Sequence, residues 1–261
     1  MALRDIFDEV PELYDRVRPG YPEALFDDLV VLAQLGPGSR VLEVGPGTGQ
    51  ATVPLATRGL EVTAVELGSE LAQVARRNLA PFPAVEIVTA AFEEWPLPTE
   101  SFDAVVAATA FHWLDPAVRI GKVHDALGPG GALAVISTHH VAGGDAPFFD
   151  DVQRCYEAWM PGTPAGLRLP KATDVPHADR DELRRTGRFA EVIVRRYERD
   201  MTYTTREYLD LLLSYSGHRA LVADAREALL ACIGELIDGR FGGRITKRYM
   251  TELTVARRRR A

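Results

Sequence analysis

Three glycines spaced two residues apart, Gly45, Gly47 and Gly49, follow the β-branched run Arg40-Val41-Leu42-Glu43-Val44 and precede a helix-compatible stretch at 48–58. Glycine lets the backbone turn sharply and lets a ligand lie against the main chain with no Cβ between them. A turn from strand to helix puts that ligand at the carboxyl ends of the strands, where open α/β sheets hold small molecules. The spacing is G-x-G-x-G, whereas a dinucleotide loop needs its third glycine one residue later, where Gln50 stands. Glu43, just before the loop, would add negative charge beside a pyrophosphate, so it suits a ligand carrying a cationic group.

Other residues of chemical interest are histidines. His112 lies in Phe111-His112-Trp113 after the fourth strand, and His139-His140 follows the fifth. Imidazole has a resting pKa suited to a general base, so His112 and His139 are the catalytic candidates. The bland alternatives are a residue that shapes the pocket and a polar loop. Cys155 and Cys232 fit neither a disulfide framework nor metal-ligand spacing, and no metal is expected.

The elements that must position these residues alternate. Strands are expected at 40–44, 61–66, 85–89, 104–108 and 132–137, with helices at 48–58, 69–78 and from Asp115-Pro116 to about 127. Strands nearly continuous in apolar residues, each followed by a helix, make a parallel sheet covered on both faces. Beyond Ser137 the rhythm breaks. A helix at 148–159, a Pro/Gly-rich loop at 161–176 and a charged helix at 179–186 lead to a strand at 191–197. Capping-box spacing at Thr204-Thr205-Arg206-Glu207 then opens a helix, another runs from 224 to 237, and a last strand lies at 245–255.

The chain has 261 residues with 30 Lys plus Arg against 37 Asp plus Glu, a net charge of −7. That balance disfavours nucleic acid and anionic membrane as partners. The first ten residues, with Arg4, Asp5, Asp8 and Glu9, lack the apolar stretch of a signal peptide, and no apolar run is long enough to cross a bilayer. The expected setting is reducing and cytoplasmic. The arginine run 257–260 reads as a solvated end.

In order and spacing these motifs resemble the class I S-adenosylmethionine-dependent methyltransferases, whose first motif is an acid-x-G-x-G-x-G on the first strand. The likeness covers about 39–138 and includes Ser101-Phe102-Asp103 before the fourth strand and Leu127-Gly128-Pro129-Gly130-Gly131 before the fifth. It implies that Glu66 accepts from both ribose hydroxyls and that Leu67 touches the adenine. Glu43, Gly45, Gly47 and Gly49 form the first cofactor contact, and Thr109, ending the fourth strand, joins the same group. The stretch Tyr14-Asp15-Arg16-Val17-Arg18-Pro19-Gly20-Tyr21-Pro22 resembles one in the trans-aconitate methyltransferase-like branch, which implies that Tyr14 and Arg18 face the sulfonium and the carboxylate of the cofactor. One position departs: where the family has an adenine-binding Asp, this chain has Ala91. The backbone of Ala91 and Phe92 is left to meet the ring, and the Phe92 side chain either packs on the adenine or belongs to the core.

The resemblance implies an α/β, Rossmann-like, seven-stranded and mostly parallel sheet with helices on both faces, its last strand antiparallel. It is expected to form one methyltransferase domain over 1–261. The parts are a cofactor-covering segment at 1–38, the S-adenosylmethionine-binding core at 39–138, a substrate cap at 139–187 and the remaining elements at 188–261. The cap and its neighbours hold Phe148, Phe149, Tyr156, Trp159, Met160, Tyr203, Tyr208 and Tyr215, which serve as core or as walls for a small planar acceptor. The function implied is methyl transfer from S-adenosylmethionine to a small molecule. A nicotinamide-dependent oxidoreductase and a non-catalytic S-adenosylmethionine-binding regulator or scaffold are the rivals.

Overall fold

In the computed structural model, which describes residues 6–259, the apolar runs become strands β1 (Arg40–Val44), β2 (Glu61–Glu66), β3 (Val85–Thr89), β4 (Phe102–Ala108), β5 (Leu127–Gly144), β6 (Phe189–Thr204) and β7 (Arg244–Arg258). Arg4 and Asp5 of the N-terminal reading and Arg260 of the arginine run lie outside the described residues. The sheet order is β3-β2-β1-β4-β5-β7-β6. β1 pairs in parallel with β2 and β4, β2 with β3, and β4 with β5. β7 runs against β6: Thr202 meets Thr246, Asp200 meets Arg248, Arg196 meets Glu252 and Phe189 meets Arg259, so one strand ascends as the other descends.

The chain divides into two compact units. The first holds residues 6–19, 139–175 and 198–250, and the second holds 20–138, 176–197 and 251–259. The stretch expected as a single cap, 139–187, is therefore shared: 139–175 fall in the first unit and 176–187 in the second.

In the second unit, alternation along the strands supplies two apolar faces. Val41, Ala104, Val106, Ala134 and Ile136 pack on one side with Leu25, Phe26 and Leu29 of helix Glu23–Ala33. Leu42, Val44, Val105, Ala107, Leu133 and Val135 pack on the other with Ile120 and Val123 of helix Arg119–Ala126. Parallel strands buried on both sides explain why the sequence shows continuous apolar runs rather than alternation.

The first unit is built on the helices Gln153–Trp159, Thr205–Leu213 and Ala223–Arg240. Phe148, Tyr208, Leu212, Leu229 and Ile233 form its core. Cys155 and Cys232 make a disulfide between the first and last of these helices, their Cα atoms 5.8 Å apart. The reading that the two cysteines fit no framework is corrected here. Their separation of 77 residues hides the pairing, which arises only when the helices pack.

Other boundaries moved for local reasons. The expected 148–159 helix is two, Ala146–Asp151 and Gln153–Trp159, joined at Val152. The helix expected from Asp115 starts at Arg119, because the Asp115 carboxylate accepts from the Ala117 amide at 2.8 Å and forms a turn first. β5 starts at Leu127 and includes the glycine run: its register on β4 jumps from Phe102↔Leu127 to Ala104↔Ala132, so the extra residues bulge. The capping box is as expected, with Thr204 and Glu207 each accepting from the other's amide.

Candidate cofactor site

The glycine loop leaves β1 with φ of +69° at Gly45, +60° at Gly47 and +104° at Gly49. Each value lies in the left-handed region that side chains resist. Gly45 has a second constraint, because a Cβ there would stand 2.7 Å from the Ala110 Cβ. Two hydrogen bonds hold the loop from outside: the Gly45 amide donates to Val65 O at 2.9 Å, and Asn78 Nδ2 donates to Thr48 O at 2.9 Å.

Glu43 is fully buried, and among the described residues neither carboxylate oxygen has a hydrogen-bond partner; the Thr52 hydroxyl beside it is in the same condition. Burial pushes the Glu43 carboxyl from its ordinary 4.5 up to about 7, the Thr52 hydroxyl pulls it down, and the charge of Glu66 pushes it further up. A buried carboxyl left this way is costly unless a cation or donor arrives.

Glu66 closes the same corner from β2. Its Oε2 accepts from the Gly47 amide and its Oε1 from the Gly68 amide, both at 2.9 Å, so the carboxylate fixes the loop. A carboxylate offers about four acceptor positions, which suits it to hold hydroxyl donors as well as amides. Leu67 next to it presents an apolar side chain, 39% exposed, at the end of β2. The residues at this corner fit S-adenosylmethionine in donor chemistry: a partnerless buried acid for a cationic group and acceptors for a diol.

Around the end of β4 lie the remaining second-unit candidates. Thr109 has φ of +55°, a strained value for a β-branched residue, with its amide on Ile136 O at 2.7 Å and its hydroxyl on the Tyr21 phenol at 2.9 Å. No sequence signal marks that strain, although Tyr21 belongs to the Tyr14–Pro22 motif. Ala91 has its carbonyl occupied by the amides of Glu94 and Trp95 in a turn. The Phe92 side chain is 3% exposed and sits in the core, with Lys122 Nζ 5.4 Å from its ring. His112 is exposed and lies against Trp113, ring centroids 4.8 Å apart. Desolvation lowers its pKa, which Asp179 raises and Arg119 lowers again, so the imidazole is neutral at neutral pH. Asp179, which also accepts from Ser137 Oγ at 2.7 Å, was not singled out in the sequence because it lies 67 residues along the chain from His112.

Tyr14, Arg18 and His139 belong to the first unit, so His112 and His139 are not in one unit. Arg18 stacks its guanidinium 4.8 Å from the Tyr14 ring centre and 4.4 Å from that of Tyr215, and donates Nη2 to Ser214 O at 2.7 Å. His139 is half-buried on β5, where strand alternation sends its neighbour His140 to the opposite face.

Residues 42–135 match the family model of the methyltransferase domain. An uncharacterised methyltransferase of Mycobacterium tuberculosis is 42% identical over 123 residues, 47% of this chain and 48% of the relative. The match thus spans about half the length of this curated relative. Among solved structures, a Haemonchus contortus phosphoethanolamine N-methyltransferase, in complex with phosphomonomethylethanolamine and S-adenosylhomocysteine, aligns with a TM-score of 0.57 at 16% identity, covering 99% of this chain and 60% of that one. The cyclase SpnF aligns with 0.55 at 20% identity, covering 98% and 94%. At such identities these two show the fold alone. With the acid-glycine loop, the β3-β2-β1-β4-β5-β7-β6 order and the domain match together, residues 42–135 form a methyltransferase domain of the class I S-adenosylmethionine-dependent kind.

Proposed function

We propose that the protein transfers the methyl group of S-adenosylmethionine to a small-molecule acceptor. Glu43 carries this reading: a fully buried, partnerless acid behind a glycine loop repels a phosphate and favours a cationic ligand. When bound, S-adenosylmethionine supplies a methyl group made electrophilic by its sulfonium charge. The chain's own part is to bind and orient. The positive-φ glycines open the main chain to the ligand, Glu66 fixes the loop and is the acceptor proposed for the ribose hydroxyls, and Leu67 offers apolar surface to the base. Holding two reactants in register accounts for much of the rate of such a transfer. His112, neutral at physiological pH, is the candidate to take the acceptor's proton. The acid surplus of the chain supports a small-molecule acceptor over nucleic acid.

Calorimetric titration with S-adenosylmethionine, S-adenosylhomocysteine and NAD tests the cofactor, and methyl release in the presence of mixed small-molecule extracts tests the transfer. Binding of NAD without S-adenosylmethionine would overturn the reading. Among the described residues no helix is long and apolar enough to cross a membrane. A cytoplasmic setting is part of this proposal, and alkylation of Cys155 and Cys232 in freshly lysed cells checks it: a bridge already formed there would count against the cytoplasm.

A further inference from the structure

Positive charge in the first unit is matched by acid at many places. Arg16 meets Asp210 at 3.4 Å, Arg219 meets Glu9 at 2.6 Å, Arg240 meets Asp151 at 2.7 Å and Arg248 meets Asp200 at 2.7 Å. One cluster departs from this pattern. Lys247 is only 4% exposed, with the rings of Phe149, Tyr208 and Tyr249 at 5.8, 5.7 and 5.3 Å from its ammonium and His140 Nδ1 at 3.3 Å as its hydrogen-bond partner. Arg18 has a buried Nε with no partner. Among the described residues, the charged and titratable groups acting on His140 are Lys247, Arg18, His139 and His218, with no carboxylate among them.

His140 joins this buried group to solvent. Its side chain is exposed, yet the rings of Tyr215 and Tyr249 stand 5.7 and 5.5 Å from its own and it is strongly desolvated. His140 is thus the point at which this buried cluster reaches the surface. Burying an ammonium with no counter-charge is costly, and here burial alone brings Lys247 from its ordinary 10.5 down to about 7. In a chain holding 37 acidic residues against 30 basic ones, an acid could have been placed beside it and was not. A ligand that brings an anionic oxygen resolves the imbalance, and the tyrosine rings favour a flat body behind that oxygen.

We propose that Arg18, His140, Tyr215 and Lys247 form a binding site for a small planar aromatic anion, its charged oxygen on the cations and its ring against Tyr215. Calling that ligand the methyl acceptor rests on the methyltransferase reading; the site itself does not. An anion settling beside Lys247 and His140 raises their proton affinity, so binding takes up protons and weakens as pH rises past 7. His218 and Tyr208 from neighbouring helices and Tyr249 from the same strand face this ammonium, and none of them supplies a negative charge at that pH.

The test uses the full chain, with benzoate as probe and benzamide as its neutral shape-mate, titrated calorimetrically in two buffers of different ionisation enthalpy between pH 6.5 and 8.5. Benzoate should bind at least about tenfold more tightly than benzamide and take up protons. Lys247→Met and Arg18→Gln should each lose that preference while benzamide affinity holds, in variants whose circular dichroism and melting match the parent. Lys247→Arg should keep the preference but take up fewer protons than the parent, with only His140 left to gain one, a distinction that a merely structural lysine would not make. Equal affinities in the parent, or a preference surviving both substitutions, would overturn the site. Titration of the same preparations with S-adenosylmethionine separates the claims: binding of the cofactor without benzoate removes this site alone, and the reverse removes the methyltransferase reading alone.

Discussion

Glu43→Gln is the sharpest perturbation of the cofactor corner, since it keeps the shape and removes the titration. With a folded pKa raised from 4.5 to about 7, the folded protein holds this proton over a range of pH in which the unfolded chain has lost it. Stability attributable to Glu43 therefore falls as pH rises from 4.5 through 7 and is level above. The full loss is roughly 3 kcal/mol, at roughly 1.4 kcal/mol for each tenfold change in proton affinity. Between pH 5 and 7.5, where the fold can be studied, roughly 2 kcal/mol of it should appear. His218 works against this: burial brings it from 6.5 down to about 4, so its contribution to stability grows with pH through the same window. The raw profile of either protein is therefore uninformative, and the difference between Glu43→Gln and the parent is the readout, because the histidines cancel. Urea unfolding at pH 5 and 7.5 should show the variant gaining on the parent by roughly 2 kcal/mol. Parallel profiles would refute the reasoning that Glu43 is buried without compensation. A cationic ligand should also drive the proton off Glu43, so S-adenosylmethionine binding at pH 6 should release protons from the parent and not from the variant.

Gly45→Ala forces a Cβ to 2.7 Å from Ala110 at φ of +69°, and should cost about 1–3 kcal/mol in urea unfolding together with most S-adenosylmethionine affinity; a neutral effect would mean that the loop relaxes freely. Glu66→Ala removes both the loop bonds and the ribose acceptors and should weaken S-adenosylmethionine binding by roughly 1.5–3 kcal/mol, so an unchanged dissociation constant would refute the role. Replacing Cys155 and Cys232 by Ala opens a loop closed across 77 residues, and chain entropy sets the loss at roughly 4.5 kcal/mol; identical urea midpoints for the pair variant and the oxidised parent would contradict the bridge.

The second unit was largely legible before folding. β1, β2 and β3 begin and end where the expected runs do, because β-branched residues set between turn residues are a local signal for an extended strand. The glycine loop was legible for a related reason: positive φ at Gly45, Gly47 and Gly49 is a local backbone demand that few other residues meet. Strand ends were less clear where polar residues sit on half-exposed sheet, as in β6, which runs on from Tyr197 to Thr204 through Glu198, Arg199 and Asp200.

What the chain determined by itself is therefore the set of local choices: the strands of the second unit, the turn chemistry between them, the capping box at Thr204 and the acid before the glycine loop. What only tertiary structure decided are properties of pairs far apart in sequence. The Cys155–Cys232 bridge, the partnerless burial of Glu43 beside Thr52 and Glu66, the core position of Phe92, the strain at Thr109 and the uncompensated Lys247 beside His140 all depend on what a side chain meets after packing. Periodicity and spacing record a residue's own backbone, while desolvation and charge record its neighbours, and those exist only once the fold has brought them together.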